Sequence, residues 1–189
     1  MTDEHPPIVD PAHYGPEGPV AVVFQFLEAV FHGEKYGNHW ALLDDNLRLC
    51  RVQGWLWNNR THPNIEQAFE DEGVDLDGLA AEMVEGQPEW LWEIFVRVEV
   101  DQMHENWSQL YERDLGAASH TRILGPDVEL ILLVATDGKG PIVYDEDTTL
   151  TSEDTLQIPV RHVEGRWRIA GYWPFIPEPG WPPRFTPDS

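Results

Sequence analysis

The stretch from residue 155 to residue 173, TLQIPVRHVEGRWRIAGYW, constrains the fold more than any other part of the chain. Apolar and polar residues alternate on both sides of Glu164-Gly165, which predicts two antiparallel strands joined by a tight turn. The residues that share one face in this register are Leu156, Ile158, Val160, His162, Trp167, Ile169 and Trp173. Because an isolated hairpin is marginal in water, the remaining sequence must supply further strands and a cover for this face.

The first half of the sequence predicts helices. Pro19 suits the first turn of a helix, and apolar residues then recur every three or four positions. Asn38 can cap a second helical stretch that runs to about Asn59, either as one helix or as two pieces that break near residues 44 and 45. Residues 63–86 predict two short acidic helices, which we interpret as an insertion on the surface of the core.

Residues 88–111 fit two patterns. Apolar and polar residues alternate between Ile94 and Val100, which is typical of a strand. Apolar residues also recur at steps of three and four across the whole segment, and Pro88 suits the start of a helix. Because the helical pattern covers more residues, we predict a helix here.

The second half of the sequence changes to a period of two. This period begins near Ala117 and predicts strands at residues 119–124, 128–136 and 142–150, ahead of the closing hairpin. Helices followed by antiparallel strands are typical of an α+β fold, in which the helices must cover one face of the sheet.

One α+β domain is expected over residues 19–173, with an arm at each end. Residues 1–18 are rich in proline and acidic residues and poor in apolar ones, which predicts a flexible arm. Residues 174–189 combine six prolines with aromatic side chains, which predicts an extended arm that carries aromatic anchors.

The charge of the sequence limits the class of partner. The 12 basic side chains oppose 34 acidic ones, for a formal net charge of −22 at pH 7. This balance argues against binding to nucleic acid or to a membrane surface, because anionic surfaces are bound by clustered Lys and Arg. The N-terminus has no signal-peptide pattern and no apolar run approaches the length of a bilayer, so we expect a cytoplasmic protein. The single cysteine, Cys50, lies among apolar neighbours and is expected to be buried.

The order of the predicted elements resembles that of a known superfamily. A long amphipathic first helix, a Trp-containing second helix and a closing meander that ends in GRWRIAGYW are similar to the nuclear-transport-factor-2-like, or SnoaL-like, superfamily. The resemblance covers roughly residues 19–173. It implies a strongly curved antiparallel sheet that wraps the first helix into a cone, with a pocket at the open end and homodimerisation through the open sheet face. Members include isomerases, dehydratases, cyclases, epoxide hydrolases and proteins without catalytic activity, and their catalytic residues differ between branches.

Two groups of polar residues could support catalysis. Asp101 and His104 lie on one side of the predicted helix, where a carboxylate could orient an imidazole as a general base. The resemblance implies a second group, because an Asp-Arg-Asp arrangement activates water in one branch of the superfamily, and Asp45 and Arg48 beside Asp44 supply these residue types. An exposed polar helix face and an ordinary surface ion pair explain the same residues without function. Neither group has the ligand spacing of a metal site, and no cofactor is predicted.

Aromatic residues could line a pocket for an apolar ligand. The candidates are Trp40, Trp55, Trp92, Trp107, Tyr111 and Trp167. Packing in the core explains most of them equally well.

The sequence leaves three functions open. We favour a non-catalytic binding module, which holds a small apolar ligand in the cone or a protein partner through the sheet face or the C-terminal arm. The alternative is a cofactor-free isomerase, dehydratase, cyclase or hydrolase that uses carboxylates and His in the pocket. A second alternative, an acidic decoy for a basic protein, depends only on the net charge.

Overall fold

The computed structural model describes residues 14–33, 35–118, 121–139, 142–143, 149–150 and 156–186. Residues 1–13 of the predicted N-terminal arm lie outside these ranges. Within the described ranges the α-helices are α1 (Pro19–Phe31), α2 (Asp45–Asn59), α3 (Pro63–Glu72), α4 (Leu76–Val84), α5 (Glu89–Asn106) and α6 (Ser108–Tyr111), and a 3-10 helix covers Trp40–Leu42. None of the described helices is long and apolar enough to span a membrane.

The second helical stretch is shorter than a cap at Asn38 predicts. Helix α2 begins at Asp45, and the side chain of Asp44 caps it by accepting a hydrogen bond from the backbone N–H of Leu47 at 2.7 Å. Leu43, just before the cap, is extended and forms a parallel β-bridge with Ile169. The prediction of a break near residues 44 and 45 is therefore confirmed, because pairing with the distant sheet interrupts the helix.

The segment that fits both patterns is helical, and it forms α5. It runs without interruption from Glu89 to Asn106. Its buried positions are Leu91, Phe95, Val96, Glu99, Val100 and Met103. The apparent strand alternation fails as a guide here, because Ile94 is exposed and Val98 is half-buried. A charged residue, Glu99, stands within the buried face.

The strands form one antiparallel sheet and a separate two-stranded pair. They are β1 (Leu115–Ala117), β2 (Arg122–Gly125), β3 (Val128–Ala135), β4 (Ile142–Val143), β5 (Thr149–Leu150), β6 (Leu156–Val163) and β7 (Arg166–Ile169). Strands β1 and β2 both pair with one edge of β3, β6 pairs with its other edge, and β7 pairs with β6.

The prediction of a single strand over residues 142–150 is wrong. Ile142 pairs with Leu150 in antiparallel register, so the chain reverses direction between β4 and β5. A period of two continues through both strands of a hairpin, and alternation alone therefore does not locate the reversal.

The closing hairpin has the predicted register. Val160 lies opposite Ile169, and the rings of His162 and Trp167 are 5.0 Å apart. Glu164 and Gly165 both have positive φ, at 52° and 78°, which matches the twist of a two-residue hairpin turn.

Two arginines face each other on the other side of the hairpin. Arg161 pairs with Arg168 in register, and an ion pair between Arg161 and Asp44 at 2.7 Å offsets the repulsion. Arg168 donates to the backbone oxygen of Ala41.

The architecture is the expected α+β arrangement, with helices packed against a curled antiparallel half-barrel sheet. Helix α1 lies against β3, β6 and β7. Phe26 of α1 stacks on Tyr172 at 5.6 Å and meets Trp107 edge-on at 6.0 Å. These rings fill the space between α1, α5 and the sheet.

The described part of the C-terminal segment folds back along helix α2. The amide of Asn46 donates to the oxygen of Pro177 at 2.8 Å, and the side chain of Gln53 accepts from the N–H of Gly180 at 3.0 Å. Trp181 donates its indole N–H to Asp77 of α4 at 2.7 Å. The described part of the segment thus follows the surface of α2 as far as Phe185.

Candidate functional site

A cavity of about 490 Å³ lies between helices α2, α3 and α5. Arg51, Gly54, Trp55 and Asn58 of α2 line one wall, and their spacing places them on one side of that helix. Ile94, Val98 and Gln102 line the opposite wall, because residues four apart on α5 also share a side. Gly54 has no side chain, and the ring of Phe185 occupies the space above it: a Cβ at this position would lie 3.2 Å from Cε2 of Phe185.

A buried ion pair forms one end of this cavity. Arg51 donates from Nε to Oε1 of Glu99 and from Nη2 to Oε2, both at 2.6 Å, in a bidentate arrangement. The hydroxyl of Tyr172 donates to the same Oε1 at 3.2 Å. Glu99 is only 3% exposed, so its charge requires these partners.

The environment fixes the protonation states around this pair. Burial on its own would lower the pKa of Arg51, but the carboxylate of Glu99 raises it above its usual value. Burial raises the pKa of Tyr172, and the negative charge of Glu99 raises it further. Tyr172 therefore keeps its proton and acts as a hydrogen-bond donor.

A second, smaller cavity of about 150 Å³ shares Arg51 and Phe185 with the first. It is otherwise lined by residues that include Trp107 and Tyr172. The guanidinium carbon of Arg51 lies 5.2 Å from the ring centre of Tyr172 and 5.3 Å from that of Phe185, within the range of cation–π interactions. Arg51 and the Phe185 ring therefore form the wall between the two cavities.

The first predicted catalytic pair lies away from both cavities. Asp101 is exposed on α5. His104 is also exposed, with its Nε2 at 2.6 Å from the backbone oxygen of Val30 and its ring stacked on Phe31. Neither side chain lines a cavity described above.

The second predicted pair lies at the start of α2. Asp45 is 87% exposed and forms an ion pair with Arg48. Both residues line a groove of about 450 Å³ that also contains Arg166 and Arg168 of the hairpin. Asp44 is buried beside them, and burial raises its pKa although Arg161 opposes this effect. This charged groove does not share a residue with the cavity at Arg51.

Two of the predicted aromatic residues reach the cavities. Trp55 lines the larger one and Trp107 lines the smaller one. Trp40 is buried in the core, where its indole N–H donates to the oxygen of Val84 at 3.1 Å.

The other predicted aromatic residues lie elsewhere. Trp92 packs against Gly37, where a Cβ would come within 2.6 Å of the indole. Trp167 lies on the hairpin beside His162. Tyr111 is 53% exposed and lines a shallow cleft of about 260 Å³ between α1 and α6. The six candidates therefore do not form one aromatic pocket.

Apart from Trp55, none of the residues that meet at the larger cavity is among the predicted site residues. A signal for Glu99 was present, because it falls within the stripe formed by Val96, Val100 and Met103. A carboxylate in such a stripe predicts a buried partner of opposite charge. No comparable signal marks Phe185, whose position depends on the return of the C-terminal segment to α2.

The interior also contains two buried titratable groups that line neither cavity, His39 and Cys50. His39 is fully buried, burial lowers its pKa to about 4, and neither ring nitrogen has a hydrogen-bond partner among the described residues. Cys50 is buried as predicted, and burial raises the pKa of its thiol to about 12. Among the residues that the structure describes, no group of three or more His, Cys, Asp or Glu side chains could hold a metal ion.

Comparison with known proteins gives no further assignment. No family model, curated protein or solved structure matches the chain. The resemblance to the nuclear-transport-factor-2-like superfamily therefore remains a prediction from the sequence.

Proposed function

We propose that the chain is a non-catalytic binding module, and that its ligand is a small molecule held in the cavity between α2, α3 and α5. The volume of about 490 Å³ falls in the range of ligand pockets. The lining combines apolar side chains with a few convergent polar groups, as such pockets usually do. The observation that carries the proposal is the Arg51–Glu99 pair, which places a desolvated, hydrogen-bonded polar group at the end of an accessible cavity.

The hydrogen bonding of the Arg51–Glu99 pair favours ligand binding over acid–base catalysis. Both oxygens of Glu99 already accept hydrogen bonds from Arg51, and proton transfer to either of them would disrupt the bidentate pair. Tyr172 keeps its proton because burial raises its pKa. His39 is buried and does not line the cavity. His62 does line the cavity, but its Nδ1 already accepts a hydrogen bond from the backbone N–H of Asn64 at 3.2 Å. A general base needs an available lone pair within reach of the substrate, and the lone pairs of these groups are already used in hydrogen bonds or lie outside the cavity.

The contacts of the C-terminal segment favour a small ligand over a protein partner captured by that segment. Trp181 donates to Asp77, and Phe185 packs on Arg51 and Gly54. The aromatic anchors of the arm are thus used within the chain. A protein partner would have to displace them before it could bind them.

The proposal predicts that a bulky side chain in the cavity will block binding. Asn58 is exposed and lines the cavity, so Asn58→Trp fills the space without disturbing the core. Gln109→Trp adds the same side chain at an exposed position of α6 outside the cavity and serves as the control. Both variants and the unaltered chain are screened against a library of small compounds by thermal unfolding.

Ligands that bind the folded state raise the melting temperature by mass action. We expect compounds that stabilise the unaltered chain and the Gln109→Trp variant but not the Asn58→Trp variant. The proposal is wrong if the stabilising compounds act equally on all three proteins, or if no compound in the library stabilises the unaltered chain.

A further inference from the structure

Side-chain amides dominate the polar part of the cavity lining. Asn58 and Asn59 come from α2, Asn64 from α3 and Gln102 from α5. Each amide offers two N–H donors and a carbonyl acceptor. The amide of Asn59 donates to the oxygen of Trp55 at 2.8 Å, a bond that does not use its carbonyl oxygen. Among the described residues, the side chains of Asn58, Asn64 and Gln102 have no hydrogen-bond partner, so their amides are available to a ligand.

The charged groups of the lining cancel. Arg51 and Glu99 are the only Lys, Arg, Asp or Glu side chains among the cavity residues that the structure describes, and they neutralise each other in a bidentate pair. An ionic ligand would therefore find no unpaired counter-charge, and an anion would also meet the formal net charge of −22. These charges favour a neutral ligand.

Aromatic rings supply the apolar part of the lining. Trp55 lies on the α2 wall, and Phe185 lies at the end where the C-terminal segment crosses Gly54. Flat aromatic surfaces pack against the apolar faces of ring compounds. A ligand that satisfies the whole lining has apolar ring faces and a perimeter of groups that both donate and accept hydrogen bonds.

We propose that the ligand is a neutral sugar of one or two rings, with its hydroxyls bound by the amides and one ring face packed on Trp55 or Phe185. A hydroxyl both donates and accepts, which matches an amide better than a purely apolar or purely accepting ligand does. The amides come from three helices and so surround the ligand, as a hydroxylated perimeter requires. This inference rests on the proposed binding function and specifies its ligand class.

Isothermal titration calorimetry on the full chain tests the ligand class. The panel contains neutral monosaccharides and disaccharides, a sugar acid and an amino sugar, planar heterocycles such as free nucleobases, and apolar ring compounds. Each is titrated to about 10 mM, which detects binding in the millimolar range. We expect saturable binding of at least one neutral sugar and weaker or undetectable binding of its charged analogues.

Two exposed amides provide variants that keep the fold. Asn58→Ala and Gln102→Ala each remove a hydrogen-bonding group from the cavity, and each is expected to weaken sugar binding about tenfold. Gln109→Ala removes an exposed amide from α6, outside the cavity, and is expected to leave the affinity unchanged.

The outcomes separate this inference from the proposed function. If only heterocycles or apolar compounds bind, and Asn58→Trp blocks them, the cavity is a binding site but the ligand is not a sugar. If sugars bind with equal affinity to the Asn58, Gln102 and Gln109 variants, the amides do not recognise them and the inference is wrong. If no class of compound binds, both proposals are wrong.

Discussion

Asp44 has two structural roles that its neighbour Asp45 does not share. Its carboxylate caps α2 and also pairs with Arg161 of the hairpin, while Asp45 makes a solvent-exposed pair with Arg48. We expect Asp44→Ala to lower the free energy of unfolding by about 3 kcal/mol, because it removes a cap and leaves a half-buried guanidinium unpaired. Asp45→Ala should change the same quantity by less than about 0.5 kcal/mol.

Urea unfolding of both variants at pH 7 measures this difference. Equal losses for the two substitutions would show that Asp44 has no special role at the junction of helix and sheet. Asp44→Asn keeps an oxygen for the cap, and it should recover part of the loss.

His39 should make the fold sensitive to acid. Burial lowers its pKa from the usual 6.5 to about 4, so the unfolded chain binds a proton that the folded chain rejects. The contribution of His39 to the free energy of unfolding is therefore fully present above pH 6.5, and it decreases as the pH falls towards 4. At pH 5, His39 alone lowers the free energy of unfolding by about 2 kcal/mol.

The substitution His39→Phe tests this prediction, because the phenyl ring cannot be protonated. The variant should lose about 2 kcal/mol less than the unaltered chain between pH 7 and pH 5, as measured by urea unfolding at both values. His162→Gln, at an exposed hairpin position, is the control and should keep the full acid sensitivity. An unchanged pH dependence in His39→Phe would contradict the assignment.

At the scale of elements, the C-terminal segment packs along the surface of α2 and contacts it at several points. Its ring at Phe185 is 36% exposed, packs beside Arg51 and covers Gly54. We expect Phe185→Ala to lower the free energy of unfolding by about 1 kcal/mol, through loss of the cation–π contact and of partial burial. Ile123→Ala, at a 70% exposed position, should change it by less than about 0.5 kcal/mol.

Phe185→Ala should also join the two cavities, since Phe185 and Arg51 form the wall between them. A crystal structure of Phe185→Ala should show one continuous cleft along Arg51. A cleft that stays divided, or a loss of stability no greater than that of Ile123→Ala, would contradict this role for the ring.

The sequence predicted elements well where local patterns dominate and poorly where distant contacts decide. Pro19 and the Glu164-Gly165 turn act through their own backbone preferences, and both predictions are confirmed. The start of α2 depends instead on the bridge between Leu43 and Ile169, which no local pattern at Asn38 contains.

At the scale of the whole molecule, the fold class was predictable and the cavity was not. The order of helices and strands requires a covered sheet, and the α+β prediction is confirmed. The cavity depends on the relative placement of three helices and a returning segment. Arg51 and Glu99 are 48 residues apart, and only the packed structure brings them together. The predicted candidates Asp101 and His104 were chosen because they lie close in the sequence.

The proposed function requires that a ligand binds in the cavity beside the Arg51–Glu99 pair. Nuclear magnetic resonance of the side-chain amides, recorded during titration with a compound that stabilises the chain, tests it most directly. We predict that the largest shifts belong to Asn58, Asn64 and Gln102, while the exposed amide of Gln109 stays unchanged. Shifts confined to residues outside the cavity, such as those at the Tyr111 cleft, would contradict the claim.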